Sequence, residues 1–158
     1  MCDYSLCGIP NRLAIEGEEL VFHRFPTASM GLASPAELAA IEQPRKESAV
    51  KGFWNRLKTF FELPPPRSVR AVCVPPGALL VLKNIPPDLQ RQFEIGPEEP
   101  VVFTQLSLAV NTYRDAVQFR NGRQARLQDL HTGIRAEVGS LAGATQAADP
   151  VWELERVR

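Results

Sequence analysis

Short runs in which hydrophobic and polar residues alternate recur along most of this 158-residue chain. A period of two is typical of strands that bury one face, and these runs are rich in β-branched or aromatic residues. Most of them end at glycine, proline or acidic turns. The pattern predicts strands over Glu19–Phe25, Val69–Val74, Ala78–Lys83, Val101–Leu106, Ile134–Val138 and Val151–Val157. We therefore expect at least five strands in a mainly β fold.

Turn residues indicate how some of these strands connect. Asn121-Gly122 lies between two alternating runs, and Asn-Gly is the pair that best tolerates the positive φ angles of a two-residue type I′ turn. This predicts a hairpin with arms over Ala116–Arg120 and Arg123–Gln128. The sequence Pro75-Pro76-Gly77 between two predicted strands indicates a hairpin or a tight corner.

One stretch, Lys46–Leu63 (KESAVKGFWNRLKTFFEL), has the period of an amphipathic helix instead. Its large apolar side chains fall within an arc of about 120°, the width of one buried helix face. Lys51 and Lys58 flank one side of this aromatic stripe, and Arg56 flanks the other. The stripe consists of Val50, Phe53, Trp54, Leu57, Phe60 and Phe61.

Two shorter helices are predicted as well. In Ser34-Pro35-Ala36-Glu37, a capping residue is followed by proline at the first helical position and glutamate at the third, which predicts a helix over Pro35–Ile41. Pro87–Phe93 is expected to form one or two further turns. Gln43-Pro44 and Pro64-Pro65-Pro66 frame the amphipathic stretch, and consecutive prolines form a stiff spacer.

These elements predict a single β-rich domain over residues 1–158, folded as a small antiparallel barrel or sandwich. Residues 44–66 would be inserted as an amphipathic helix and proline-rich spacer between the first strand and the rest.

Charge and cysteine content limit the class of function. Eighteen basic and eighteen acidic residues cancel, and no glycine-rich phosphate loop is present, so we expect no nucleic-acid or nucleotide partner. Residues 44–63 carry five basic and two acidic residues, a local charge of +3 that leaves −3 on the remainder. No apolar run approaches membrane-spanning length, the N-terminus lacks a signal peptide pattern, and the three cysteines are sparse. A cytoplasmic location is therefore predicted.

Several short motifs resemble those of a family of small uncharacterised bacterial proteins. They are MCDYSL at the N-terminus, followed by NRLA, EGEELV, HRFP, GLASP, VPPGA, IPPDLQ and VQFRNGR. The resemblance implies a bacterial cytosolic protein. That family has no established activity, so the resemblance transfers no catalytic or binding residue.

The aromatic stripe is the main candidate binding element. Aromatic rings beside lysine and arginine suit a lipid interface, a protein groove or the domain's own sheet, and the sequence leaves all three open. We expect a non-enzymatic accessory or assembly protein that docks on a protein partner, or peripherally on the cytoplasmic side of a membrane, through residues 46–63. Lys51 and Lys58 would take part in that contact.

Catalysis is the competing interpretation. Removal of Met1 would expose Cys2 with both a thiol and an α-amino group, the arrangement of N-terminal nucleophile enzymes. The oxyanion donors that such an enzyme needs cannot be identified, so this thiol-dependent enzyme is the alternative. Metal ligation by Cys2, Cys7, Cys73, His23 and His131 lacks any recognisable ligand spacing. We therefore expect no metal and no cofactor.

Overall fold

The computed structural model of this chain describes residue 6 and residues 8–48, 68–106 and 113–145. Its strands are β1 (Asn11–Leu13), β2 (Glu19–Arg24), β3 (Met30–Ala33), β4 (Ala71–Cys73), β5 (Leu79–Lys83), β6 (Glu99–Gln105), β7 (Asp115–Phe119), β8 (Gln124–Arg126) and β9 (Arg135–Ser140). Its helices are α1 (Pro35–Ser48) and α2 (Pro87–Phe93), with short 3-10 helices at Leu127–Asp129 and Ala142–Thr145.

The described strands form one sheet of nine, in the order β1-β4-β3-β2-β9-β5-β6-β7-β8. Every neighbouring pair is antiparallel except β1 and β4, which run parallel. The predicted mainly β fold is confirmed, and the sheet is mixed rather than purely antiparallel. It is not closed into a barrel, because β1 and β8 remain its two edges.

One hydrophobic core lies against the inner face of this sheet. Alternation works as predicted in β2, where Leu20 and Phe22 are buried and their neighbours are at least partly exposed. Side chains from both halves of the strand order join the same cluster, Leu32 of β3 together with Val117 of β7 and the neighbouring Leu127. The sheet therefore curls around its core, and burial of each large apolar side chain contributes roughly 1.5–3 kcal/mol.

A second, smaller apolar cluster covers the outer face of β3 and β4. It contains Leu6, Phe25, Ala33 and Ala71, with Leu38 of α1 packed against it. Gly31 is needed here, because an added Cβ would lie 3.0 Å from the Phe25 ring and 3.1 Å from a Leu6 methyl group. With both of its faces covered, β3 is buried at all four positions.

The hairpin at Asn121-Gly122 is confirmed, but the predicted two-residue type I′ turn is wrong. The amide of Gly122 donates to the carbonyl of Phe119 at 2.9 Å, and the amide of Phe119 donates to the carbonyl of Arg123 at 2.9 Å. Gly122 has a φ of +83°, whereas Asn121 is not among the residues with positive φ. The loop is therefore a three-residue turn in which Gly122 alone takes the left-handed conformation.

Two further expectations need correction. Helix α1 follows β3 rather than the first strand, because β1 and β3 were not predicted. Pro44 does not mark a boundary, since α1 continues through it to Ser48. Of the hairpin or tight corner predicted at Pro75-Pro76-Gly77, the corner is confirmed, because β4 and β5 are not neighbours in the sheet. The predicted strand Val151–Val157 lies outside the described residues.

Candidate functional site

The residues predicted to bind a partner lie between Ser48 and Ser68, outside the part of the chain that the structure describes. They are Val50, Lys51, Phe53, Trp54, Leu57, Lys58, Phe60 and Phe61. The structure describes the chain on both sides of this stretch, up to Ser48 and from Ser68 onward.

The N-terminal turn of α1 is fixed on the outer face of the sheet. The amides of Glu37 and Leu38 donate to the carbonyl of Ser34 at 3.1 and 3.2 Å, which begins the helix. Leu38 packs against the outer cluster, whereas Ala39 and Ala40 are exposed. The helix then continues without interruption to Ser48, so it includes the first three residues of the predicted amphipathic stretch.

Glu37 connects the departing chain to the returning chain. One of its carboxylate oxygens accepts from the Arg70 guanidinium, from Nη2 at 2.8 Å and Nε at 3.0 Å. The other accepts from the backbone amide of Arg70 at 3.0 Å. These three bonds join residues that are 33 positions apart in the sequence. We call this contact the base clamp.

Arg12 of β1 extends the base clamp toward the sheet edge. Its Nη1 donates to the Glu18 carboxylate at 2.9 Å, its Nη2 bonds the second oxygen of Glu18, and its Nε lies 4.0 Å from Glu37. The hydrogen bond from Arg12 lowers the pKa of Glu18. Desolvation raises the pKa of Glu37, but Arg70 outweighs it and holds the pKa below its ordinary value. Both carboxylates are therefore ionised at neutral pH.

A second link, also missed from the sequence, holds the tip of the β7–β8 hairpin against α2. The side-chain amide of Asn121 donates to the carbonyls of Phe93 at 2.8 Å and Glu94 at 3.3 Å. Arg123 donates to the carbonyl of Gln92 at 2.8 Å and pairs with the Glu94 carboxylate at 2.5 Å. The Asn121 side chain thus donates to carbonyls at the C-terminal end of α2 and also accepts a hydrogen bond within its own turn.

Of the cysteines and histidines considered as metal ligands, His23, Cys73 and His131 lie within the described residues. Within the described residues, no group of three or more His, Cys, Asp or Glu side chains is placed to hold a metal ion. His23 on β2 stacks edge-on against Phe25 with ring centroids 5.0 Å apart, and burial lowers its pKa. His131 lies 3.3 Å from the Asp88 carboxylate of α2.

Cys73 is disulfide-bonded, so its sulfur is not available as a thiolate ligand or nucleophile. Cys2 and Cys7 lie outside the described residues. Disulfides are typical of oxidising compartments, whereas the sparse cysteines indicated a reducing one. The cytoplasmic location stays a prediction.

A small pocket within the described residues is lined by Leu32, Val72, Phe103 and Leu127 among other side chains, and it has a volume of about 10 Å³. That volume holds about one water molecule.

Among the described residues, no helix combines the length and hydrophobicity needed to cross a bilayer. Comparison of the chain with protein-family models, with curated proteins and with solved structures gives no match. The family resemblance of the short motifs stays a prediction.

Proposed function

We propose that this protein is an accessory or assembly protein that binds a partner protein through the amphipathic helix at residues 46–63. The observation that supports this proposal is the way α1 begins. Its first turn is fixed to the sheet by Leu38 and the base clamp, and the same helix leads directly into Lys46.

The position of the base clamp supports a helix at residues 46–63 that projects from the sheet. At 1.5 Å per residue, α1 extends about 16 Å from Glu37 to Ser48. The chain then has 19 residues, 49–67, to return to Ser68, close to the Arg70 that Glu37 holds. The base clamp holds Glu37 and Arg70, on either side of this segment, at one place on the sheet.

The charge distribution supports a partner with an acidic surface around an apolar groove. Residues 44–63 carry a local excess of positive charge. In the predicted helix, the aromatic stripe lies between Lys51 and Lys58 on one side and Arg56 on the other. An amphipathic helix lying in such a groove is a common mode of recognition between proteins. Anionic lipid attracts the same residue types, so a membrane surface is the alternative outcome of the test.

Affinity purification of the chain from its native host, with and without membranes, tests the proposal. The Phe53→Glu, Trp54→Glu variant is expected to fold, as judged by circular dichroism, and to lose the partner. The matched control is Leu106→Glu, Tyr113→Glu, which places two carboxylates at exposed apolar positions elsewhere and is expected to retain the partner. Recovery of the same partner with both variants contradicts the proposal. Binding that requires membranes assigns the helix to lipid instead.

A further inference from the structure

Strand β1 and the residues that follow it leave two large apolar side chains in solvent at the edge of the sheet. Leu13 is 69% exposed and Ile15 is 66% exposed, whereas Ala14 between them is buried. Residues at i and i+2 of an extended chain lie on the same face, so the two side chains form one apolar strip. Sheet edges are usually protected by charge, proline or a covering segment, and Leu13 and Ile15 offer neither charge nor proline.

Part of the backbone at this edge is available for pairing. Pro10 accepts from the amide of Ala71 at 2.8 Å, and Ala14 donates to the carbonyl of Cys73 at 2.9 Å, so these positions face β4. Because backbone groups alternate along a strand, those of Asn11 and Leu13 face away from β4. The carbonyl of Leu13 already accepts from Arg12 Nη1 at 3.1 Å, and the amide of Ile15 donates to the Glu18 carboxylate at 3.3 Å, so pairing would use the groups of Asn11 and the amide of Leu13. The β1 strand has β4 as its neighbour on one side and lies at the end of the sheet order.

The end of β9 lies beside the turn that follows this edge. The amide of Leu141 donates to the Glu16 carboxylate at 2.6 Å, and the amide of Gly17 donates to the carbonyl of Val138 at 2.7 Å. The turn that follows Ile15 is therefore bonded to the end of β9. Only the 3-10 helix at Ala142–Thr145 separates β9 from the last 13 residues, 146–158.

The length and pattern of those residues fit the edge. Val151–Val157 (VWELERV) alternates like a strand, and Trp152 and Leu154 share one face at the same i, i+2 spacing as Leu13 and Ile15. The six residues from Thr145 to Val151 reach at most about 20 Å. A segment that starts near the carboxyl end of β1 and pairs with it would run antiparallel to β1.

We propose that the C-terminal segment of the same chain adds a tenth strand to the sheet by pairing antiparallel with β1. Trp152 and Leu154 then cover Leu13 and Ile15 as cross-strand neighbours. Residues 151–157 of the same chain then pair with the edge strand and cover this apolar strip.

The two tryptophans of the chain allow a direct test. In a Trp54→Phe variant of the full chain, Trp152 is the single tryptophan. Its acrylamide quenching constant is expected to be severalfold below that of a free indole. Adding Leu13→Ser and Ile15→Ser is expected to restore free quenching, whereas the control pair Leu106→Ser, Tyr113→Ser leaves Trp152 protected. Because all four substituted positions are exposed, the variants are expected to keep the circular dichroism spectrum of the parent.

Amide hydrogen exchange gives a second measurement that does not depend on tryptophan. Exchange at Leu13 is expected to accelerate about tenfold or more when the chain is shortened to end at Thr145. Free quenching of Trp152 in the unsubstituted edge, or no change at Leu13 on truncation, overturns the proposal. Protection that rises with protein concentration, together with a dimer mass by light scattering, assigns the edge to a second copy and also overturns it.

Discussion

Replacement of Asn121 by aspartate separates two roles that the residue plays in the native fold. In the hairpin, its side-chain oxygen accepts from the amide of Arg123 at 3.0 Å, and aspartate would retain that bond. Toward α2, its side-chain nitrogen donates to the carbonyls of Phe93 and Glu94, and aspartate has no donor at neutral pH. If Asn121 were only a turn residue, Asn121→Asp would be nearly neutral, because Asp-Gly and Asn-Gly serve such turns similarly.

The magnitude follows from the geometry of the two bonds. The bond to Phe93 at 2.8 Å is well formed, and the bond to Glu94 at 3.3 Å is weak. A net hydrogen bond contributes about 0.5–1.5 kcal/mol, and exposure of Asn121 favours the lower end, so we expect about 1 kcal/mol for Asn121→Ala. Asn121→Asp also sets a carboxylate against two carbonyl oxygens, so we expect about 1–2 kcal/mol.

Urea unfolding of both variants, with thermal unfolding as a check, measures these differences. For a domain of this size, 1 kcal/mol corresponds to roughly 2–4 °C in Tm. Facing carbonyls raise the pKa of an aspartate at this position, so protonation restores the donor. The deficit of Asn121→Asp relative to the native chain therefore narrows as pH falls toward about 4, the ordinary pKa of aspartate in an unfolded chain. Native stability for Asn121→Asp at neutral pH would refute the contact with α2.

Four other substitutions test two turns, one close backbone contact and one half-buried ring. The β2–β3 loop repeats the three-residue turn with Ala28 at a φ of +62° in place of glycine, so Gly122→Ala is expected to destabilise by about 1 kcal/mol and Ala28→Gly to be neutral or stabilising. Equal losses for both in urea would be inconsistent with this. Gly143→Ala is expected to cost about 1–3 kcal/mol, because its Cβ would overlap the carbonyl oxygen of Gly77; an unchanged urea midpoint would count against that packing. Since burial lowers the pKa of His23, the unfolded chain takes up its proton first, and stability is lost as pH falls through about 6.5. His23→Gln should flatten this part of the pH profile, and an unaltered slope would assign it to other groups.

Alternation predicted the strands that bury one face and expose the other, as in β2, β5 and β9. It failed at β3, because α1 and the N-terminal residues cover the outer face and bury Met30–Ala33 completely. A strand with both faces covered has no period of two. It also failed at β1, where three residues are too few to show any period.

The contacts of the base clamp between Glu37 and Arg70 could not be predicted from the sequence. Glu37 was identifiable as a helix-start residue, but nothing in the local pattern indicates that Arg70 is its partner. That contact depends on the parallel pairing of β1 with β4 and on the place where the returning chain enters the sheet. The same holds for Asn121 and α2, which are separated by 28 positions. The binding residues on the helix at 46–63 stay a prediction.

The environment of Trp54 is the most direct test of whether that helix is free to bind a partner. In a Trp152→Phe variant, Trp54 is the only tryptophan, and its emission and acrylamide quenching report on the aromatic stripe alone. The proposed function predicts a solvent-exposed emission maximum and free quenching in the isolated chain, with a blue shift and protection when the captured partner is added. Emission from Trp54 that is already blue-shifted and protected in the isolated monomer, with no change on adding the partner, would show that the stripe packs on its own sheet and would contradict the account.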